Sequence, residues 1–333
     1  MTRFTSPLAL AAAILVLGGA ASPARAGLTF DFTFDSSINA TNFGANVATL
    51  EADVIAVGNT FSSMFANNVT LNITVSAMTT QGFLAGSLAT YNDAYTYADV
   101  RTALIDSAST AASITATNEL PLTEPATTKS GLIAVSTAEE KALGLIPGKL
   151  AGLNGTFYIG SNIGSGQGWD FAGTSTPAAN AYSFIDAAEH EISELMGRST
   201  QLANGNFNYN TPIDLFRCTA TGPGGSGVIN MDPAATNVYF STDGCATVAK
   251  YYNGPNGNGA DIQDWASTAF ADPYDAYGTP GVYAPLSLVD QEIMNDLGWQ
   301  AAPEPTALAC LLPAAFGLVA VRARRQRATS AEV

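Results

Sequence analysis

"AAEHEISELMGR", residues 187–198, decides how the chain is read. It contains His190, the sole histidine among 333 residues, directly before Glu191. Its limits are helical: Ser183 and Asp186 satisfy an N-terminal capping pattern, and Gly197 can take the left-handed conformation that ends a helix. His190 then falls mid-helix. Glu194, four residues on, lies on the same face one turn away, so an imidazole nitrogen and a carboxylate oxygen can converge on one point. Glu191 stands about 100 degrees around the helix from His190, within reach of the rim of that point.

That spacing is the geometry of the metal-binding helix motif H-E-x-x-H, with Glu194 in place of the second histidine. In the motif the i, i+4 pair ligates zinc and the intervening glutamate takes a proton from the attacking water. A glutamate ligand makes the site harder and iron, manganese or calcium more competitive, with zinc still the expected ion. A third protein ligand has to be something other than histidine. Thr200, ten residues beyond His190, is a poor one. Asp214 in "PIDLFR" (212–217) is the favoured candidate, against its being a turn residue or an ion-pair partner of Arg217. Asp243, Asp261 and Asp264 stand behind it. The stretch "NGPNGNGADIQD" (253–264) lacks the spacing of a calcium loop and reads as a solvated turn. Arg198 either stabilises an oxyanion near the metal or serves the helix end or the surface. The alternative for His190 itself is an interior histidine, bonded to a nearby carboxylate on a helix rich in Ile192, Leu195 and Met196.

Both termini read as processed signals. Arg3, the apolar run "LALAAAILVLGGAA" and the small-x-small triplet Ala24-Arg25-Ala26 make residues 1–26 a secretory signal peptide. At the other end, Pro303-Glu304-Pro305, the apolar run "TALACLLPAAFGLVAV" and the basic cluster "RARRQR" (322–327) stand in order. The run is short for a stable span, and Pro313 interrupts it. This tripartite tail, residues 303–333, resembles the PEP-CTERM sorting signal of exosortase-processed bacterial proteins. The resemblance implies a transient membrane anchor, cleavage by exosortase-type machinery, and a secreted or cell-surface product of a Gram-negative bacterium.

Residues 27–302 remain for the folded part, keeping seven of the thirteen basic residues and twenty-six of the twenty-eight acidic ones, a formal charge of −19. Such a surface repels nucleic acid and anionic lipid. Cys310 lies in the tail, which leaves Cys218 and Cys245. In an oxidising compartment this pair is expected to bond, stabilising the fold by roughly 3 kcal/mol.

Between Gly44 and Asn67, apolar residues at steps of three and four (Val47, Leu50, Val54, Val57, Phe61, Met64) predict a long amphipathic helix. "VTLNITV" (69–75) alternates as a half-buried strand does. A second helix is expected at about Tyr97–Ser109, then a Thr-rich linker through Lys129, then a strand in "GTFYIGSN" (155–162). Beyond residue 199 the chain is Gly-, Asn- and Pro-rich, with short strands such as "NVYFS". It closes on a helix in "SLVDQEIMNDLGW", opened by Ser287 and Asp290.

The stretch at 187–198 also resembles the H-E-I-S-E-x-M-G-R signature of a family of PEP-CTERM-tailed metalloproteases. The likeness continues through "PIDLFR", "VYFSTDG" (238–244), "DIQDWA" (261–266) and "DLGW" (296–299). It implies an α+β, zincin-like fold, with a helix-on-mixed-sheet N-terminal lobe (27–198) bearing the active-site helix and a loop-rich C-terminal lobe (199–302). The expected activity is hydrolysis of protein or peptide substrates, with His190, Glu194 and Asp214 as metal ligands and Glu191 as general base. The alternative is a non-catalytic cell-surface or matrix protein with a degenerate or structural metal site.

Overall fold

A computed structural model describes residues 27–125, 131–171, 173–201, 209–220, 227–255, 261–266 and 271–303. Residues 1–26, expected to be a signal peptide, and the expected sorting tail beyond Pro303 lie outside the described residues, as do residues 256–260 of the turn-like stretch. β1 (Thr29–Phe34) and β2 (Thr70–Met78) pair in parallel. Between them α1 (Ala40–Phe43) and α2 (Val47–Met64) supply the long crossover that parallel strands need. Along the chain come β3 (Ala85–Ala89), β4 (Tyr91–Thr96), α3 (Tyr97–Ser107), α4 (Ala111–Asn118), β5 (Leu132–Ser136), α5 (Thr137–Ala142) and β6 (Gly155–Gly160). β6 runs parallel to β2 and antiparallel to β3, giving a mixed sheet of order β1-β2-β6-β3. The fold is therefore of mixed α and β type, with β3 at one edge of the main sheet.

The apolar periodicities make these elements pack. Leu50, Val54, Val57 and Phe61 of α2 are buried, as are Leu71, Ile73 and Val75 of β2, while the intervening Thr70, Asn72 and Thr74 stay partly exposed. After β7 (Gly168–Asp170) and β8 (Ala181–Ser183) comes α6 (Phe184–Leu195), which lies against α2, β3 and β6. Gly155 permits that closeness, since a Cβ there would stand 2.6 Å from Leu195 and 2.8 Å from the Leu88 carbonyl oxygen. The caps of α6 are those expected. Ser183 accepts from the Asp186 amide, and Gly197 turns the chain with φ of 116° where a Cβ would meet the Glu139 carboxyl at 2.8 Å.

The expected Thr-rich linker is corrected in its first part. Ala111–Asn118 is helical because Thr110 and Ser113 form a reciprocal capping box, and its small residues Ser113, Ala116 and Thr117 are buried where α4 meets α3 and α7 (Leu288–Asp296). Tertiary packing outweighs the poor helix propensity of "AASITATN".

In the second half, β9 (Arg217–Ala220), β10 (Gly227–Ile229), β11 (Tyr239–Phe240) and β12 (Lys250–Tyr251) form an antiparallel sheet of order β10-β9-β11-β12. Cys218 and Cys245 are joined by a disulfide with Cα atoms 5.5 Å apart, and the Tyr239 hydroxyl donates to the Cys245 carbonyl at 2.8 Å. One continuous apolar core takes residues from both sides of position 198, from Leu28 to Trp299. The segment after α7 returns to the end of α2: the Ala66 amide donates to Gln300, the Ala302 amide to Met64, and the Asn67 carboxamide holds both Gly298 and Gln300. Trp299 packs tilted against Phe65, ring centroids 6.1 Å apart, and donates its indole N–H to the Met196 carbonyl at 2.8 Å. Among the described residues no helix is long and apolar enough to cross a membrane.

Candidate metal centre

The row Asp186, His190, Glu194 recurs every four residues on α6 and therefore faces one way, into a cavity of about 500 Å³. Glu191 lies beside this row and lines the same cavity. The opposite walls are the Ala85–Ser87 edge of β3, the Asp261–Asp264 loop and residues 271–279.

His190 is fixed by the second of those loops. Its Nδ1 stands 2.8 Å from the Pro273 carbonyl oxygen, which can only accept, so Nδ1 carries a proton and Nε2 is the nitrogen that faces the site. From Nε2, Glu194 Oε1 is 3.5 Å away and Asp264 Oδ1 3.3 Å. One ligand atom from each of His190, Glu194 and Asp264 lies within 4.8 Å of the others. Ligand atoms bound at about 2.0–2.2 Å to a tetrahedral ion stand about 3.3–3.6 Å apart, and the two distances from Nε2 match that spacing.

The carboxylates are held as firmly. Glu194 Oε2 accepts from Ser87 on β3 at 2.7 Å, and Oε1 from the Gln263 carboxamide at 2.9 Å. The same amide reaches Asp261 at 3.1 Å. Arg198 is buried beneath them: its guanidinium donates to Asp264 Oδ1 at 2.9 Å, to Ser193 at 2.8 Å and to the His190 carbonyl at 3.3 Å, and lies 4.2 Å over the Tyr274 ring. Neither the surface role nor a free oxyanion hand expected for Arg198 is what the structure has.

Charge and burial compete here. Burial alone would lower the His190 pKa, but the Asp264 charge raises it well above the ordinary imidazole value. Burial opposes ionisation of Glu194, yet the His190 hydrogen bond and the charges of His190 and Arg198 bring it down to about 2. Glu191 is pushed well above the usual carboxylate range by burial and by Glu194 beside it. It is 8 % exposed and accepts no hydrogen bond from any described residue.

Asp214 is not brought to this group. It is fully buried elsewhere, with Oδ2 accepting from the Thr211 amide at 2.8 Å and from Thr200 at 3.0 Å, while Oδ1 takes a further 2.9 Å bond from Thr200 and lies 3.9 Å from Arg217. The turn and ion-pair alternative describes it, and Asp264 is the carboxylate that stands with His190 and Glu194 in the group able to hold an ion. Asp243 closes a turn by accepting from Ser241 and Thr247. Asp261 sits at the exposed rim of the cavity. Sequence reasoning missed Ser87 and Pro273, which come from an edge strand and a loop with no local signature, and also Gln263, which shares the "DIQDWA" stretch with Asp264. For Asp264 a signal existed, since it lies in "DIQDWA". Comparison of the chain with protein-family models, curated proteins and solved structures found no match.

Proposed function

We propose that this chain is an exported, metal-dependent peptidase of zincin-like architecture, with the ion held by His190, Glu194 and Asp264. The observation that carries the reading is the convergence of His190 Nε2 with Glu194 Oε1 at 3.5 Å and Asp264 Oδ1 at 3.3 Å on the wall of a cavity. An imidazole in a mixed N/O set favours zinc over a hard ion such as calcium. When bound, the ion supplies Lewis acidity toward a peptide carbonyl and toward water. Glu191, beside His190 and Glu194 on the cavity wall, would accept the proton of the attacking water. β3 offers an unpaired outer edge, among the described residues, along which an extended peptide can lie. The signal peptide and the tail resembling PEP-CTERM support delivery to the cell surface or medium.

A second reading rests on Arg198. Its buried guanidinium already compensates Asp264 and lies 3.6 Å from Glu194, as a metal-free structural network would require. Elemental analysis of the purified protein and peptide hydrolysis by it and by Glu191→Gln separate the two. The peptidase reading expects near-stoichiometric metal in both proteins and hydrolysis only in the parent. Protein free of metal after zinc incubation establishes the network reading instead.

A further inference from the structure

The cavity is far more acidic than a metal site needs. Seven of its lining residues are carboxylates, and among the described residues no lysine or arginine lines it. Arg198 answers Asp264 from behind the wall, and Lys250 answers Asp272. A divalent ion at His190 would offset the ligand pair. Asp186, Glu191 and Asp261 have no ion-pair partner among the described residues, and Asp275 shares Lys250 with Asp272. Asp275 is 7 % exposed and its Oδ1 has no hydrogen-bond donor, the nearest cation, Lys250, being 3.9 Å away. Glu191, 8 % exposed, faces the cavity with no hydrogen-bond partner among the described residues.

We propose that the cleft selects its substrate by a positive charge: an ammonium or guanidinium group of a peptide is held between Asp186 and Asp275, beside His190. This rests on the peptidase reading and names its substrate class. Asp186 stands one turn before His190 on the same row, about 6 Å along the helix axis, which is within reach of the side chain of a residue neighbouring the bond over the metal site. Its carboxylate is fixed by Ser183 and by the Ala284 amide at 2.8 Å, so it is presented without loss of side-chain freedom on binding. Tyr182 and Tyr277 line the same cavity, and aromatic rings attract a cation. Burial, with Asp272 adding repulsion, raises Asp186 to about 6 and Asp275 to about 7 even though Lys250 pulls the latter down, and an arriving cation relieves that strain.

The test is binding by the full-length chain, with and without chelator, of end-blocked Gly/Ser octapeptides carrying a central Arg, Lys, Gln or Glu, read by fluorescence anisotropy. A free-amine version of the Gln peptide is included. Arg and Lys peptides should bind about tenfold tighter than the blocked Gln peptide, with the Glu peptide weakest. A gain confined to the free-amine Gln peptide assigns the charge to the substrate's terminal ammonium and equally supports the proposal. Asp186→Asn with Asp275→Asn should abolish the gain, whereas the charge-matched exposed pair Asp31→Asn with Asp106→Asn should keep it. Should the first pair misfold by circular dichroism, Asp275→Asn alone must reduce the gain. Equal affinity across the peptides, or equal loss in both charge-matched pairs, overturns the proposal. Ordered binding without hydrolysis by zinc-loaded protein overturns the peptidase reading alone; equal hydrolysis and equal binding overturn the selectivity alone.

Discussion

A proton and a divalent ion compete for the Nε2 lone pair of His190. Because Asp264 raises the ion-free imidazole well above its ordinary pKa, that proton is present at neutral pH and has to leave when metal enters. Zinc uptake is expected to release close to one proton, and affinity to fall about tenfold per pH unit on acidification through the range where the ion-free histidine is protonated. Calorimetry in buffers of different ionisation enthalpy measures the release directly. Two aspartates separate ligation from scaffolding at the same scale. Asp264→Asn should lower metal affinity at least about tenfold, as loss of one of few protein ligands does. Asp214→Asn should leave metal content intact and lower stability by about 1–3 kcal/mol, because its buried oxygens satisfy Thr200 and Thr211. Metal content and denaturant midpoints of both variants check this.

Among the elements, α2 carries a buried acid whose pH signature is readable. Burial, reinforced by Asp170, raises Asp53 from 3.8 to about 6, and its Oδ2 has no hydrogen-bond donor. Above pH 3.8 the unfolded chain gives up this proton while the folded one retains it, so the contribution to stability is complete below 3.8 and is lost as pH rises through 6. Asp53→Asn should flatten the stability profile across that window, as followed by urea unfolding at several pH values. α2, β2, α6 and α7 were legible in the sequence because their apolar spacing and caps agree with their final burial. β1 carries an equally plain period of two in "TFDFTF". α4 was not legible, since its small polar residues become helical only against α3 and α7. The site divides in the same way. The helical spacing placed His190, Glu191 and Glu194, but the third carboxylate comes from a loop whose position depends on the whole fold. Sequence spacing therefore does not separate Asp214 from Asp264; the bonds from Thr200 and Thr211 that hold the first do.

Taken whole, the molecule separates its covalent clasp from its cavity. Cys218 and Cys245 secure the β9–β12 sheet, and neither cysteine lines the cavity. Cys218→Ser with Cys245→Ser should lower stability by about 2–5 kcal/mol in chemical unfolding while metal content per folded molecule stays unchanged. The return of residues 298–302 to the end of α2 has a mechanical meaning. A pull on the chain beyond Ala302 meets its first resistance in the backbone bonds to Met64 and Ala66 and in the Asn67 carboxamide, which share the load. If those part, tension falls next on Trp299, whose indole grips the Met196 carbonyl at the end of α6, so that strain applied beyond Ala302 is delivered to the helix that carries His190.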